Sequence, residues 1–428
     1  MADQSKRLLM FAPYFPPRRR VGAIRSYRFA SALASGGWKV KVICLATPGG
    51  ELTETEREAL KDVEISEISS PIDKTTAPSR SSIESKKVKK EGWVSKWIDD
   101  QFPIDTWYPL FRLYKNRITE LISEFNPDVI WSTSDPWSSN MIIADISERL
   151  SIPWVADQRD PWTLCDVRFP ENGPIARFAA RRAEKKIMDR ADHIVFTALE
   201  TTKKYIEAYP EIIDKVSTIY NSYDPSLINS PGQTGESQYF DLLFLGRFRP
   251  LSSAAAITDV LRKLKEKYPG LASKVRVISY GALSPDDMQR VRDAGLELQF
   301  VVRERVPNEK VPAEISGADM LLLSTEMDRN DIIPAKLIDY LPYDKPVLSL
   351  NESPEVQDIL KKTNRGVQFG RKNFDEAAEF LAQAIRKQNE GKWPLNEFEA
   401  VREEITPFEI TYTKSQLEEI LLKVSEDV

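Results

Sequence analysis

Short runs of branched and aromatic apolar residues recur along this chain, with helically spaced apolar positions between them. In the first half the runs 7–12, 39–45, 128–132, 154–157, 193–196 and 216–220 read as strands, and 25–35, 140–150 and 175–190 read as helices. Strands that alternate with helices predict βαβ units, because a parallel strand pair needs a crossover long enough to hold a helix. Residues 225–238, rich in Pro, Gly, Ser and Asn, interrupt the pattern as an interdomain linker. The alternation restarts with strands at 241–246, 275–280, 298–302, 320–323 and 347–350 and a helix over 254–268. The expected organisation is two doubly wound α/β domains, 1–228 and 229–404, with a C-terminal helical segment, 405–428, packing back on the first. Ligands of such a pair are expected in the cleft between the domains, at the carboxyl ends of the strands. Residues 53–109 show no sustained period. Their lysines, Lys86 to Lys90, followed by Trp93, Trp97, Phe102, Trp107 and Tyr108, suit an anionic membrane interface or a long loop folded over its own domain.

Composition narrows the class. The chain has 428 residues and a net charge of −5 from 60 basic and 65 acidic residues, which argues against a general nucleic-acid binder. No run approaches the roughly 20 apolar residues that span a bilayer, and the start is too short in its apolar part for a signal peptide. Two distant cysteines, Cys44 and Cys165, fit a reducing cytoplasm better than a disulfide framework or a zinc site. The one histidine, His193, reads as a structural residue at a strand end, and its solitude disfavours histidine-based hydrolases and multi-histidine metal centres.

Four loops after predicted strands carry candidate chemistry. In 331–346, Pro334 looks like the first residue of a short helix that would carry Lys336 in its first turn and Asp339 one turn on. A helix N-terminus with a lysine is an anion site, and Asp331 and Asp339 suit ribose or sugar hydroxyls beside it. In 13–25, Gly22 permits close backbone approach, and Arg18, Arg19, Arg20 and Arg25 offer anion contacts. The loop is not G-x-G-x-x-G, so the ordinary dinucleotide fingerprint is absent. In 245–249, Arg247 and Arg249 stand where a diphosphate could be clamped, or where arginines form surface ion pairs. In 157–162, Asp157, Arg159, Asp160 and Trp162, with Asp135 and Trp137 nearby, suit carbohydrate: carboxylates bind hydroxyls and indole faces stack on sugar rings. Asp-Pro turns with buried tryptophans are the alternative.

With these motifs in hand the chain resembles retaining GT-B glycosyltransferases of the family 4 type, which build bacterial surface polysaccharides. Four stretches carry the resemblance in order: Tyr14-Phe-Pro-Pro with Gly22, 152–162, Phe244-Leu-Gly-Arg-Phe248, and 333–341 with Lys345-Pro346. It spans nearly the whole chain and implies two Rossmann-like domains facing across a cleft. It also implies roles. Asp331 and Asp339 fall on the two acids of the E-x7-E motif, near the transferred sugar and on the donor ribose, each one methylene shorter than the usual glutamate. Arg247 falls on the family's arginine, while its following lysine is replaced by Ser252 and Ser253, leaving Arg249 or Lys336 to supply that charge. Gly22 approaches the diphosphate. Ala282, Arg303, Arg305 and Val306 align with the surroundings of the nucleobase, and Pro334 opens the donor-site helix. Asp135, Asp157, Arg159, Asp160 and Trp162, with Arg18 and Arg25, belong to the acceptor side, where Asp157 or Asp160 replaces a histidine frequent in the family.

The implied reaction transfers a sugar from a nucleotide-diphosphate sugar to a glycan or polyprenyl-linked glycan with retention. Arg247, Lys336 and Arg249 stabilise the leaving diphosphate. No Asp-x-Asp stands in a metal-binding context, so no cofactor and no obligatory divalent metal are expected, and no nucleic-acid partner. Acceptors of this kind place the enzyme in the cytoplasm, with possible peripheral contact to the inner membrane face through 86–108. Two rival readings share the donor site: an inert nucleotide-sugar-binding protein, and a nucleotide-sugar epimerase, which the single histidine disfavours.

Overall fold

The computed structural model describes residues 5–18, 20–69, 104–105, 107–165, 169, 173–228, 238–249, 251–304, 306, 310–393 and 397–426. They form two compact units, 1–221 with 410–428, and 222–409.

The first unit is a seven-stranded sheet of β1 (Arg7–Phe11), β2 (Lys39–Leu45), β3 (Val63–Ile68), β4 (Val129–Thr133), β5 (Trp154–Arg159), β6 (His193–Phe196) and β7 (Val216–Thr218). Its order is β3-β2-β1-β4-β5-β6-β7, every pair parallel, with Leu9 opposite Ile130 across the central β1–β4 pair. Because successive side chains point to opposite faces, near-continuous apolar runs fill two cores at once. Leu9, Phe11, Ile130 and Trp154 face the helices Tyr108–Phe125, Trp137–Leu150 and Pro174–Arg190. Leu8, Met10, Val129 and Trp131 face the helices Val21–Ser35 and Ile410–Glu426, the second through Leu417, Leu421 and Val424. Trp38 adds a polar tie, donating to Glu418 at 2.8 Å. Burying each such leucine contributes roughly 1.5–3 kcal/mol.

The second unit is a six-stranded parallel sheet: β8 (Phe240–Phe244), β9 (Val275–Tyr280), β10 (Phe300–Arg303), β11 (Met320–Ser324), β12 (Val347–Leu350) and β13 (Gly366–Phe369), in the order β10-β9-β8-β11-β12-β13. Phe240, Leu242 and Phe244 pack under the helices Ala255–Lys267 and Phe374–Asn389. In each sheet the strand order reverses beside the first strand, between β1 and β4 and between β8 and β11, and such a switch point opens a crevice at the carboxyl ends of the strands.

Two edge strands and several helices escape the periodicity reading, the longest of these helices being Tyr108–Phe125 and Phe374–Asn389. β3 (VEISEI) is an edge strand whose middle positions are partly or wholly exposed, so it alternates with polar residues instead of reading as an apolar run. β13 is a four-residue edge strand that is partly buried throughout. The helix Tyr108–Phe125 begins with Pro109 in its first turn, where proline lacks no needed hydrogen bond. Of the aromatic segment read as a membrane contact, residues 86–103 and 106 lie outside the described residues.

Candidate functional site

In the second unit the loop after β8 turns at Gly246, whose φ of +128° suits glycine. A Cβ there would stand 3.3 Å from Lys336 Cε, so the missing side chain leaves the lysine its place over the strand end. Lys336 comes from the helix Ala335–Tyr340, for which Pro334 is the N-cap residue in extended conformation and not the first helical residue. Tyr340 fixes that helix. Its buried hydroxyl accepts from the Leu245 amide at 2.8 Å and donates to the Leu322 carbonyl, tying the helix to the ends of β8 and β11. Lys336 Nζ then lies 4.5 Å from the centre of the Phe244 ring. Burial and the Arg249 guanidinium push its ammonium down to about 8, against an opposing pull from Asp339.

Arg247 runs over Gly281, itself at φ +94°, and its Nε donates to the Ala282 carbonyl at 3.0 Å. Arg249 is exposed and pairs through its backbone with Ser252. Lys336 and Arg249 therefore stand together by the end of β8, while Arg247 lies over the end of the neighbouring β9. Ser253, where the resemblance implies a lysine, acts as a structural cap. Its hydroxyl and the Ala254 amide donate to Asp287, which also accepts from Ser284. That carboxylate already occupies the start of the helix Ala255–Lys267, so side chains rather than this helix dipole supply the positive field.

Asp331 lies on the loop after β11 and Asp339 on the lysine's helix, both partly buried. The side chain of Arg303 pairs with Glu314 at 2.7 Å, and Glu314 also accepts from Tyr280. Val306 is partly buried. Arg305, like Arg19, lies outside the described residues.

In the first unit the structure redirects several expectations. Arg25 and Asp157 meet each other: Nη2 to Oδ1 is 2.9 Å, Arg25 also donates to the Tyr220 carbonyl, and Asp157 accepts from Thr133. Both are buried, so they hold the helix Val21–Ser35 to β5 and do not face an acceptor. Gly22 does offer its bare face, but Arg159 fills it, with Nη1 2.9 Å from where a Cβ would stand. Arg159 itself, at φ +58°, donates to the Ser134 carbonyl. Arg18 donates to the Ala46 carbonyl at 2.8 Å and lies near the Tyr14 and Trp107 rings. Trp162 is buried, its face covered by Trp137 at 5.2 Å and 3° between planes, so no sugar can stack on that side. Asp135 is exposed and Asp160 partly buried at the strand ends. His193 opens β6 as a structural residue bonded to Ser217, and burial pushes its imidazole down to about 4.

Two carboxylates went unread. Glu184 is buried and accepts from Thr163, Tyr205 and Tyr209, pinning the loop that carries Trp162. Burial raises its carboxyl. Asp105 accepts from the Trp107, Tyr108 and Ser138 amides and the Ser138 hydroxyl, joining the starts of two helices. Glu184 has no signature because its donors lie far away in sequence, and nothing near Asp105 shows its tie to Ser138. Burial pushes Asp105 up to about 6 from 3.8, so its contribution to stability is full below 3.8 and lost as pH rises through about 6. A carboxyl NMR titration should give Asp105 a midpoint near 6; an ordinary midpoint near 4 would contradict this burial.

Residues 22–221 match the family described as glycosyl transferase 4-like domain. No curated protein matches the chain by sequence. Among solved structures, sucrose-phosphate synthase from Thermosynechococcus elongatus is similar at TM-score 0.67 and 12% identity, over 99% of this chain and 100% of that one. HepE of Anabaena in complex with UDP is similar at TM-score 0.66 and 14% identity, over 98% and 100%. The lipopolysaccharide outer core galactosyltransferase WaaB is similar at TM-score 0.56 and 12% identity, over 98% and 99%. The fold is GT-B, and over residues 22–221 the chain is similar to glycosyl transferase 4-like domains.

Proposed function

From a GT-B chain whose residues 22–221 form a glycosyl transferase 4-like domain, we propose a retaining glycosyltransferase acting on a nucleotide-diphosphate sugar. The observation that carries this reading is the pairing of like charges Arg249 and Lys336 by the end of β8, with Arg247 over the end of the adjacent β9. In the reaction the bond from the anomeric carbon to the diphosphate oxygen breaks, and its electron pair leaves with the nucleoside diphosphate. The acceptor hydroxyl oxygen bonds to that carbon from the same face, and its proton passes to the departing phosphate. The step needs positive charge at the leaving oxygens, and side chains held in place before reaction supply it most effectively. Arg247 and Lys336 do so directly, with Arg249 beside them. Asp339 holds the donor ribose and Asp331 lies near the transferred hexosyl or N-acetylhexosaminyl group. Val306 and the Ala282 backbone border the base. The acceptor, a glycan or polyprenyl-linked glycan of surface polysaccharide synthesis, meets Asp135, Asp160 and Arg159.

HepE was solved with UDP, which makes UDP the first nucleotide to try. A thermal-shift panel of UDP, GDP, ADP, CMP and dTDP, each with magnesium and with EDTA, tests the reading. At about 100 times its dissociation constant the matching diphosphate stabilises the fold by ~2.7 kcal/mol, with EDTA as well as with magnesium. Silence from the whole panel would remove the donor site. Binding without any transfer or donor hydrolysis would favour the inert binder, for which Ser253 in place of lysine is the supporting feature.

A further inference from the structure

The helix Pro174–Arg190 buries its inner side, Ala176, Ala180, Ala183, Ile187 and Met188, against the first sheet. Its outer side is unusual for a solvent face. Ile175 is 63% and Phe178 71% exposed, about one turn apart on one stripe. The helix also carries six basic residues against Glu184 and Asp189, and Glu184 is buried. The two ends use their charges differently. Toward the C-terminus Lys185 pairs with Asp189, Lys186 with Asp145, and Arg190 with Glu148. Toward the N-terminus Arg177, Arg181 and Arg182 have no carboxylate partner among the described residues, and Arg181 lies 5.6 Å from the Phe169 ring.

We propose that this end of the helix docks on an anionic phospholipid surface, with Ile175 and Phe178 entering the headgroup layer and the three arginines meeting lipid phosphates. Unpaired arginines flanking two protruding apolar side chains are the pattern of a helix lying in a membrane interface. Two apolar side chains alone are too little for the roughly 800 Å² per partner of a stable protein interface. The surface uses none of residues 86–108. It draws on the proposed lipid-linked acceptor only for why the enzyme would sit at a membrane. The test uses neither donor nor acceptor, so either reading can fail alone.

The full chain should float with phosphatidylcholine vesicles containing phosphatidylglycerol, release with salt, and stay behind with phosphatidylcholine alone. R177Q/R181Q/R182Q should weaken partitioning about a hundredfold. I175S/F178S should weaken it at least about tenfold with an unchanged melting temperature, because both side chains are exposed. L298S, at a 91% exposed leucine of the second unit, should change nothing. The proposal is overturned by failure to float on the anionic vesicles, by binding that survives both multiple variants, or by equal loss in L298S. It is also overturned if I175S/F178S dissociates a dimer while the wild type ignores vesicles, which would make the patch a protein interface.

Discussion

Replacing Lys336 by alanine is expected to lower turnover at least about tenfold while the protein still folds, with Arg247→Ala doing the same. Loss of one preorganised donor to a transition-state charge typically costs about a hundredfold or more, so tenfold is the least the assignment tolerates. The structure also separates a catalytic loss from a folding defect. Burial and Arg249 already disfavour the Lys336 ammonium, so its removal relieves the folded state and should leave the melting temperature equal or higher. The same electrostatics set a pH dependence. A lysine at about 8 is charged at neutral pH and loses its proton as pH rises, so kcat/KM should fall through about 8. Lys336→Arg, permanently charged, should move that fall upward if the fork fits. Near-normal turnover in both alanine variants, or a profile flat through pH 9, would sink the assignment.

The largest effect on stability is expected at Arg25 and Asp157. Each is buried and each supplies the other's countercharge. Asp157→Asn strands a guanidinium and Arg25→Met strands a carboxylate, either costing roughly 3–5 kcal/mol. The double variant Arg25→Met with Asp157→Leu should lie much closer to the wild type than the two single costs summed, because it leaves neither charge alone. Urea denaturation measures all three. Single variants that unfold at the wild-type midpoint would return these residues to the list of groups free to meet an acceptor.

The comparison between chain and fold turns on the kind of information each feature needs. Strands buried on both faces, such as β1 and β11, announce themselves as apolar runs, whereas edge strands β3 and β13 do not, because water on one side removes the hydrophobic requirement. The placement of Lys336 and Arg247 at strand ends was legible because the positions of such loops follow from strand order. Trp162 was misread as a stacking face because Trp137, which covers it, could not be placed beside it from spacing.

What the amino-acid sequence determined alone was therefore the alternation of elements, the two doubly wound halves and the loops where chemistry would gather, since these depend on local periodicity and on charge. Which charged groups remain available was decided only in three dimensions. Arg25 and Asp157 lie 132 positions apart, and the cost of burying an unpaired charge forced them together. Arg249 and Lys336, also far apart in the sequence of their own unit, were instead brought together as like charges at a strand end, a repulsion that a bound anion would relieve.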